Sequence, residues 1–449
     1  MGKIVLIGAN HAGTAAANTI LDNYPGNEVV IFDRNDNISY LGCGTALWVG
    51  RQINGYEKLF YASKAAFEAK GAVIHMETEI TSIDFKAKKV SGKDKEGKEI
   101  CETYDKLIIA TGSLPIIPRI PGLDLPGVEY VKLFQNGQKI DSLLDNGEIK
   151  NVAIIGAGYI GVELAEAVRR RGKNVLLFEA EGTCLANYYD DWFTHDMDKV
   201  LSDNGIQLHY GETVKEIGGS GTAGQGKVES IVTDKGNFPV EMVIMAIGFR
   251  PNSALGGGEL ETFANCAYKV NLKQETSVKD VYAIGDCATV FSNALGQSAY
   301  IALATNAVRS GVVAGHNACG TALESTGVQG SNGICIYNYK MVSTGLNLKS
   351  AAKAGFTPLY TQWEDTQKPA FITEDNHKVK IRIVYDKGTR RILGAQMASY
   401  NDISMGIHMF SLAIEEKLTI DKLKLLDIFF LPHFNQPYNY VTMAALTAK

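Results

Sequence analysis

The stretch that decides the fold is NVAIIGAGYIGVELAEAVRRRG, Asn151 to Gly172. A short apolar run reads as a buried strand, and Gly156, Gly158 and Gly161 complete G-x-G-x-x-G as a tight turn. Apolar residues then recur with helical period. A second strand follows, NVLLFE, ending on the acid Glu179. A unit of this kind holds a dinucleotide. Glycine lets the backbone approach a pyrophosphate, the helix N-terminus meets its charge, and the carboxylate accepts hydrogen bonds from the ribose. At Glu179 a carboxylate also repels a 2′-phosphate, which favours NADH over NADPH. The arginine run Arg169 to Arg171 lies at the far end of the helix and is expected to be a solvated face.

The same pattern opens the chain. KIVLIGANHAGTAAANTILDN, Lys3 to Asn23, is followed by EVVIFD, ending on Asp33. Gly8 and Gly13 hold their places, while Asn10 stands where the second glycine belongs. Two such units in one chain imply electron traffic between two cofactors. KLIIATGS (Lys106 to Ser113, including Ala110, Thr111 and Gly112) and MVIMAIGFRPN (Met242 to Asn252, including Gly248) read as buried strands, each closing one unit. DVYAIGDCA (Asp280 to Ala288) reads as a strand, a turn and an acid, Asp286, placed to hydrogen-bond a polyol chain. The following SAYIALATNAVRSGVVAGHNA, Ser298 to Ala318, reads as a helix whose N-terminus faces phosphate or ring. GGSGTAGQG, Gly218 to Gly226, is expected to be a turn between strands.

From about Thr326 the pattern changes. NGICIYNYKMVSTGLN and HKVKIRIVYDKGTRRILGAQMAS read as alternating strands with a turn at Lys387–Gly388, then helices from Ser404 to Ala448. This part is α+β and carries no nucleotide motif. At 449 residues the chain is long enough for about three domains. Its 45% apolar and 21% charged residues are those of a soluble globular protein, and a net charge of −5 offers nothing to nucleic acid or an anionic membrane. No apolar run is long enough to span a bilayer, and KIVLIGA carries no signal-peptide pattern. The seven cysteines are scattered and form no C-x-x-C pair, so no metal site or disulfide framework is expected. The expected compartment is a reducing cytoplasm.

One cysteine stands apart. In ISYLGCGTALWVG, Ile38 to Gly50, Cys43 lies between two glycines and five residues ahead of Trp48. A flavoprotein that reduces disulfides carries C-x-x-x-x-C here, one sulfur to attack and one to resolve. With an indole in the second place, the sulfur left over can cycle through sulfenic acid, the reversible first rung of thiol oxidation. It must then be a thiolate, favoured by a helix N-terminus or a nearby cation. His11 begins the first helix, where the dipole lowers its pKa and keeps a neutral base available.

Together these motifs resemble the two-dinucleotide-domain flavoprotein disulfide reductases, along essentially the whole chain. The resemblance implies an α/β fold with two Rossmann-like dinucleotide-binding domains and a C-terminal α+β dimerisation domain. The expected divisions are 1–115 and 251–325 for FAD, 116–250 for NADH and 326–449 for dimerisation. It implies FAD on Gly8, Asn10, His11, Ala12, Gly13, Asp33, Cys43, Ala110, Thr111, Gly112, Lys132 and Asp286, with Ala302, Leu303 and Ala304 near the ring. It implies NADH on Gly156, Gly158, Tyr159, Ile160, Gly161, Glu179, Tyr188 and Gly248. In a homodimer or higher homo-oligomer, Phe430 of DIFFLPHFNQPYNYV would approach the partner's isoalloxazine.

Within that family, ANHAGTAAA and SYLGCGTALWVG resemble the branch of NADH oxidases, NADH peroxidases and CoA-disulfide reductases, and most of all the water-forming NADH oxidases. That branch implies a single redox cysteine, Cys43, with His11 as its acid–base partner. The expected reaction takes two NADH and one dioxygen to two waters, with Cys43 passing between thiolate and sulfenic acid. NADH peroxidase uses the same residues on peroxide supplied from outside. CoA-disulfide reduction fits less well, because TALW follows Cys43 in place of that activity's paired tyrosines. A flavin-based redox sensor is the reading outside enzymology.

Overall fold

Residues 2–220 and 226–449 are described by a computed structural model. The first unit is a five-stranded parallel sheet in the order Val281–Ala283, Lys106–Ile109, Lys3–Ile7, Glu28–Phe32, Val73–His75. Its strands are apolar throughout because both faces are covered. Ile4, Leu6, Val29 and Ile31 pack under the helices His11–Asn23 and Ala304–Ala318, while Val5, Ile7, Val30 and Phe32 face the opposite core. The second unit repeats this arrangement with Val128–Tyr130, Met242–Met245, Asn151–Ile155, Asn174–Glu179 and Ile206–Tyr210, again all parallel. Each unit also carries a three-stranded antiparallel meander. The chain passes between units through one antiparallel pair, Ser113–Pro115 with Phe249–Pro251.

The C-terminal part is a five-stranded antiparallel sheet, Asn332–Ile336, Tyr339–Gly345, Ile392–Ser399, Lys378–Asp386, Pro358–Thr366, packed by helices Ser404–Glu415 and Tyr440–Leu446. The fold is thus two Rossmann-like units and an α+β domain, as the motifs imply.

Several local expectations need correction. The helix expected from Ser298 starts at Ala304, because Gln297–Ala299 is taken up in a hairpin with Val290–Ser292. Ile392–Ser399 does not alternate. It is buried at every position, with the second unit's core on one face and its own domain's core on the other. The stretch between Leu423 and Tyr440 is not helical and leaves Leu425 92% and Tyr438 72% exposed. Residues 221–225 of the expected Gly218–Gly226 turn lie outside the described residues, although the strands Val214–Gly219 and Val228–Thr233 on either side do pair. The arginine run is solvated only at Arg170, which is exposed and binds Glu166; Arg169 binds the Asn204 carbonyl, and the Arg171 side chain is enclosed against Asp141, Asp145 and the Val49 carbonyl.

A buried charge fastens the C-terminal sheet to the second unit. Asp190 Oδ2 lies 3.2 Å from Arg382 Nη1, and both side chains are almost fully enclosed. Gln396 completes the contact, accepting from the Asp190 N–H at 2.8 Å and donating to its carboxylate at 3.0 Å. Removing one member of a buried pair strands the other, at a cost of about 3–5 kcal/mol, whereas apolar replacement of both costs far less. Asp190→Ala should therefore lower the thermal unfolding midpoint markedly, and Asp190→Leu with Arg382→Met should recover most of the loss. Equal midpoints for the single and double variants would contradict this account.

Candidate active site

Both strand-to-helix turns are built by backbone against backbone. Gly8 has φ +101° and donates its N–H to the Phe32 carbonyl at 2.8 Å. A Cβ on Gly13 would sit 1.9 Å from the Gly8 oxygen, so that position admits only glycine. Asp33 Oδ2 accepts from the Ala9 N–H at 2.7 Å. The second turn repeats each contact. Gly156 has φ +102° and donates to Phe178 at 2.8 Å, and a Cβ on Gly161 would lie 1.8 Å from the Gly156 oxygen. Glu179 Oε2 accepts from the Ala157 N–H at 2.8 Å.

The middle position explains Asn10. Asn10 (φ −88°, ψ −158°) and Gly158 (φ −75°, ψ −173°) share an extended conformation open to any residue, and nothing crowds the Gly158 Cα. Neither helix has a capping side chain or an acid in its first turn. The free N–H groups of those turns suit an anion, so the residues fit a dinucleotide pyrophosphate at each turn.

The first turn opens on a cleft of about 420 Å³. Gly8, Asn10, His11, Ala12, Asp33, Ala110, Thr111, Gly112, Lys132 and Asp286 all line it. Gly13 lies beneath, against Gly8. Leu303 shares a small adjoining cavity with Asp286, and Ala302 and Ala304 flank Leu303 at the start of its helix. Burial pushes the Asp33 carboxyl up, against the opposing pull of the Asn35 and Ala9 N–H groups. Lys132 Nζ donates to Ser113 Oγ at 2.7 Å, and Ser113 Oγ donates to Asp286 Oδ2 at 2.8 Å. Phe430 stands half-exposed on the C-terminal segment.

Cys43 occupies a single turn, Gly42–Gly44, that runs into the short helix Thr45–Val49. A Cβ on Gly44 would meet Leu59 Cδ2 at 2.3 Å, which holds this turn against its neighbour. Trp48 is only 4% exposed, set among Tyr40, Leu59, Tyr56, Phe60 and Phe134. An aromatic core thus fills the place of a resolving thiol, and all seven cysteines are free.

Tyr61 stands against His11. The Tyr61 hydroxyl lies 2.8 Å from His11 Nδ1 and the two rings are stacked; burial, and to a lesser degree the charge of Cys43, raises the Tyr61 phenol. His11 is lowered as expected, but chiefly by burial; Asp286 raises it and Lys132 lowers it. Of the helix N-terminus or cation expected to favour a thiolate, the N–H groups at the start of the short helix are what act on Cys43. Burial pushes the thiol up, the Glu163 carboxylate pushes it further, and the N–H groups of Cys43 and Gly44 oppose them.

At the second turn, Glu179 also accepts from the Glu181 N–H at 3.1 Å, which fixes its carboxylate toward the motif. Tyr159 begins the helix and points inward, its hydroxyl bonded to Tyr189 and Asn332. Ile160 follows it, partly buried, and the exposed Tyr188 packs edge-on against Tyr159 with centroids 4.6 Å apart. Gly248 has φ +103° and accepts from the Ile116 N–H at 3.0 Å.

Residues 2–311 match the family model described as pyridine nucleotide-disulphide oxidoreductase, and residues 332–440 match that family's dimerisation domain. The chain belongs to this family. It is 57% identical to an NADH oxidase of Streptococcus pyogenes and 58% identical to one of Lactococcus lactis subsp. cremoris, covering all of each chain. Among solved structures it resembles the water-forming NADH oxidase from Lactobacillus brevis bound to NADH, with a TM-score of 0.94 and 36% identity, over 99% of this chain and 98% of that one.

Three members of this oxidoreductase's site carry no motif that would mark them. Tyr61 sits in an ordinary run, Ser113 ends KLIIATGS without any role assigned to it, and Glu163 reads as a surface charge on a helix. Only the fold brings them to Cys43 and Asp286. The charges facing His11 give a prediction. By NMR titration of labelled histidine, His11 should titrate below the ordinary value of about 6.5. Lys132→Met removes a lowering charge and should raise the midpoint; Asp286→Asn removes a raising charge and should lower it further. Shifts of the opposite sign would refute this electrostatic arrangement.

Proposed function

We propose that this chain is an FAD-dependent, water-forming NADH oxidase that reduces dioxygen by four electrons to two waters at the expense of two NADH. The observation that carries the reading is a lone cysteine with Trp48 packed where a second thiol would stand, in a unit whose dinucleotide cleft is lined by His11. High identity to NADH oxidases supports it over the full length. The first turn and its cleft fit FAD, and the second turn fits NADH, with Glu179 set against a 2′-phosphate.

Bound FAD would supply hydride acceptance from NADH and electron transfer to dioxygen, which yields hydrogen peroxide. The chain's residues do the rest. Asp33 would hold the ribose, and the N–H groups of the first helical turn would meet the pyrophosphate. The Cys43 thiol, raised by burial, needs a base. His11 is neutral near pH 7, and with Nδ1 bound to Tyr61 its Nε2 is free to take that proton. The thiolate attacks hydrogen peroxide: the S–O bond forms, the O–O bond breaks, and the departing oxygen leaves as water with a proton. Cys43 is left as sulfenic acid. The electron pair of a second NADH returns it to thiolate and releases the second water.

The dimerisation domain and the exposed apolar segment around Leu425 and Tyr438 support a homo-oligomer. No described helix is long and apolar enough to cross a membrane, and we assign the enzyme to the cytoplasm.

The wild-type protein should consume one dioxygen per two NADH, with no change on adding catalase. Cys43→Ser should still oxidise NADH but consume one dioxygen per NADH and accumulate peroxide, which catalase would reveal. A Cys43→Ser variant that still makes only water would remove Cys43 from the reaction. NADH loss that requires added peroxide would make the enzyme a peroxidase.

A further inference from the structure

Beside the flavin cleft lies a second cavity, of about 210 Å³, that the reaction above does not use. Leu272, Phe291 and Val328 give it apolar walls, and the helix Ala304–Ala318 closes it with Asn306, Arg309 and Ser310. Protein interiors leave few voids larger than a water molecule. A cavity of about 150 Å³ already holds benzene, so this one admits a ring and a few atoms more.

Three polar side chains of the lining are more than nine-tenths buried: Gln274, Asn306 and Ser310. Two of them are engaged. Asn306 donates from Nδ2 to the Ile301 carbonyl at 3.0 Å, and its Oδ1 accepts from Arg309 Nη2 at 2.6 Å. Ser310 Oγ donates to the Ala307 carbonyl at 2.8 Å and accepts from the Gly285 N–H at 3.0 Å. Gln274 differs, because its Oε1 has no hydrogen-bond partner. A turn of the carboxamide about its last bond presents to the cavity either that acceptor or its two donors. Arg309 stands at the exposed rim, and among the described residues its guanidinium binds only Asn306. It therefore brings a positive charge without a counter-charge. The acids closest to the lining in sequence, Glu275 and Glu324, do not line the cavity. Glu275 accepts from Asn271 Nδ2 at 2.7 Å, and Glu324 pairs with Lys273 at 4.0 Å.

We propose that this cavity binds a small hydroxycarboxylate with an apolar body. The carboxylate would take the Arg309 fork, the hydroxyl would complete the Gln274 carboxamide, and the body would lie against Leu272, Phe291 and Val328. A planar guanidinium matches a carboxylate through two parallel hydrogen bonds. One cation balances one negative charge. Asn306 and Ser310 also line the small cavity that holds Asp286, so a dianion such as a phosphate ester would meet a carboxylate behind them. Ser310 holds the Gly285 N–H, next to Asp286, and so connects an occupant to the turn that carries this acid of the flavin cleft.

The test is isothermal titration calorimetry of the FAD-loaded protein with each enantiomer of mandelate, alongside a titration followed by flavin absorbance. One enantiomer should bind in the millimolar range or tighter and perturb the flavin band. 1-Phenylethanol, which lacks the carboxylate, should not bind, and phenyl phosphate should bind more weakly than mandelate. Arg309→Met should weaken mandelate at least about tenfold. Arg309 is exposed, so its loss leaves the core intact and carries the test even where a Gln274 variant fails to fold. Gln274→Leu should erase the preference for mandelate over phenylacetate. No binding in the millimolar range, equal binding by wild type and Arg309→Met, or tighter binding of phenyl phosphate would overturn the proposal. Heat without a flavin response would break the link to Asp286. None of these readings depends on the product of NADH oxidation.

Discussion

In each nucleotide unit the backbone of the strand-to-helix turn comes so close to itself that a single methyl group would break the contact. Gly13 against the Gly8 carbonyl, and Gly161 against the Gly156 carbonyl, let each helix start directly above the end of its central strand. A carboxylate from the neighbouring strand then bonds the N–H just after the first glycine, Asp33 to Ala9 and Glu179 to Ala157. These contacts point uncapped helix ends at one spot in each unit, which is where a dinucleotide's charge is met. A larger residue at either third glycine would tilt the helix away and open both the turn and the sheet beneath it.

The two units are alike in plan and unlike in use. The first admits, after its second strand, the segment that carries Cys43, and that segment is anchored by aromatic packing around Trp48 rather than by a disulfide. The second unit presents its motif helix to that segment through Gly50 and Ala167, and is itself tied to the C-terminal sheet through Asp190, Arg382 and Gln396. The cysteine-bearing segment of the first unit is therefore packed against the motif helix of the second.

Charge around the sulfur is arranged with restraint. A fixed cation would stabilise a permanent thiolate. Here the thiol is raised by burial and by Glu163, the phenols around it are uncharged, and His11 is neutral. A nucleophile in such surroundings forms only when a proton has somewhere to go. This suits a cysteine that must receive an oxygen atom and give it back without a second thiol to resolve it.

The local pattern alone was enough for both dinucleotide units, because the need for glycine at Gly8, Gly13, Gly156 and Gly161 and for an acid at Asp33 and Glu179 arises within a few tens of residues of chain. The same holds for the isolation of Cys43, since Trp48 is five residues away. Local pattern failed where distant segments compete for one stretch. Gln297–Ala299 became a strand because Val290–Ser292 was there to pair with it, and Ile392–Ser399 lost its alternation because two cores cover it. Arg171 turned inward because Asp141 and Asp145 face it across the helix junction. Tyr61, Ser113 and Glu163 acquired roles only through neighbours far away in sequence. The electrostatics of the cysteine belong to the same class, since the groups packed around its turn are set by the assembled fold.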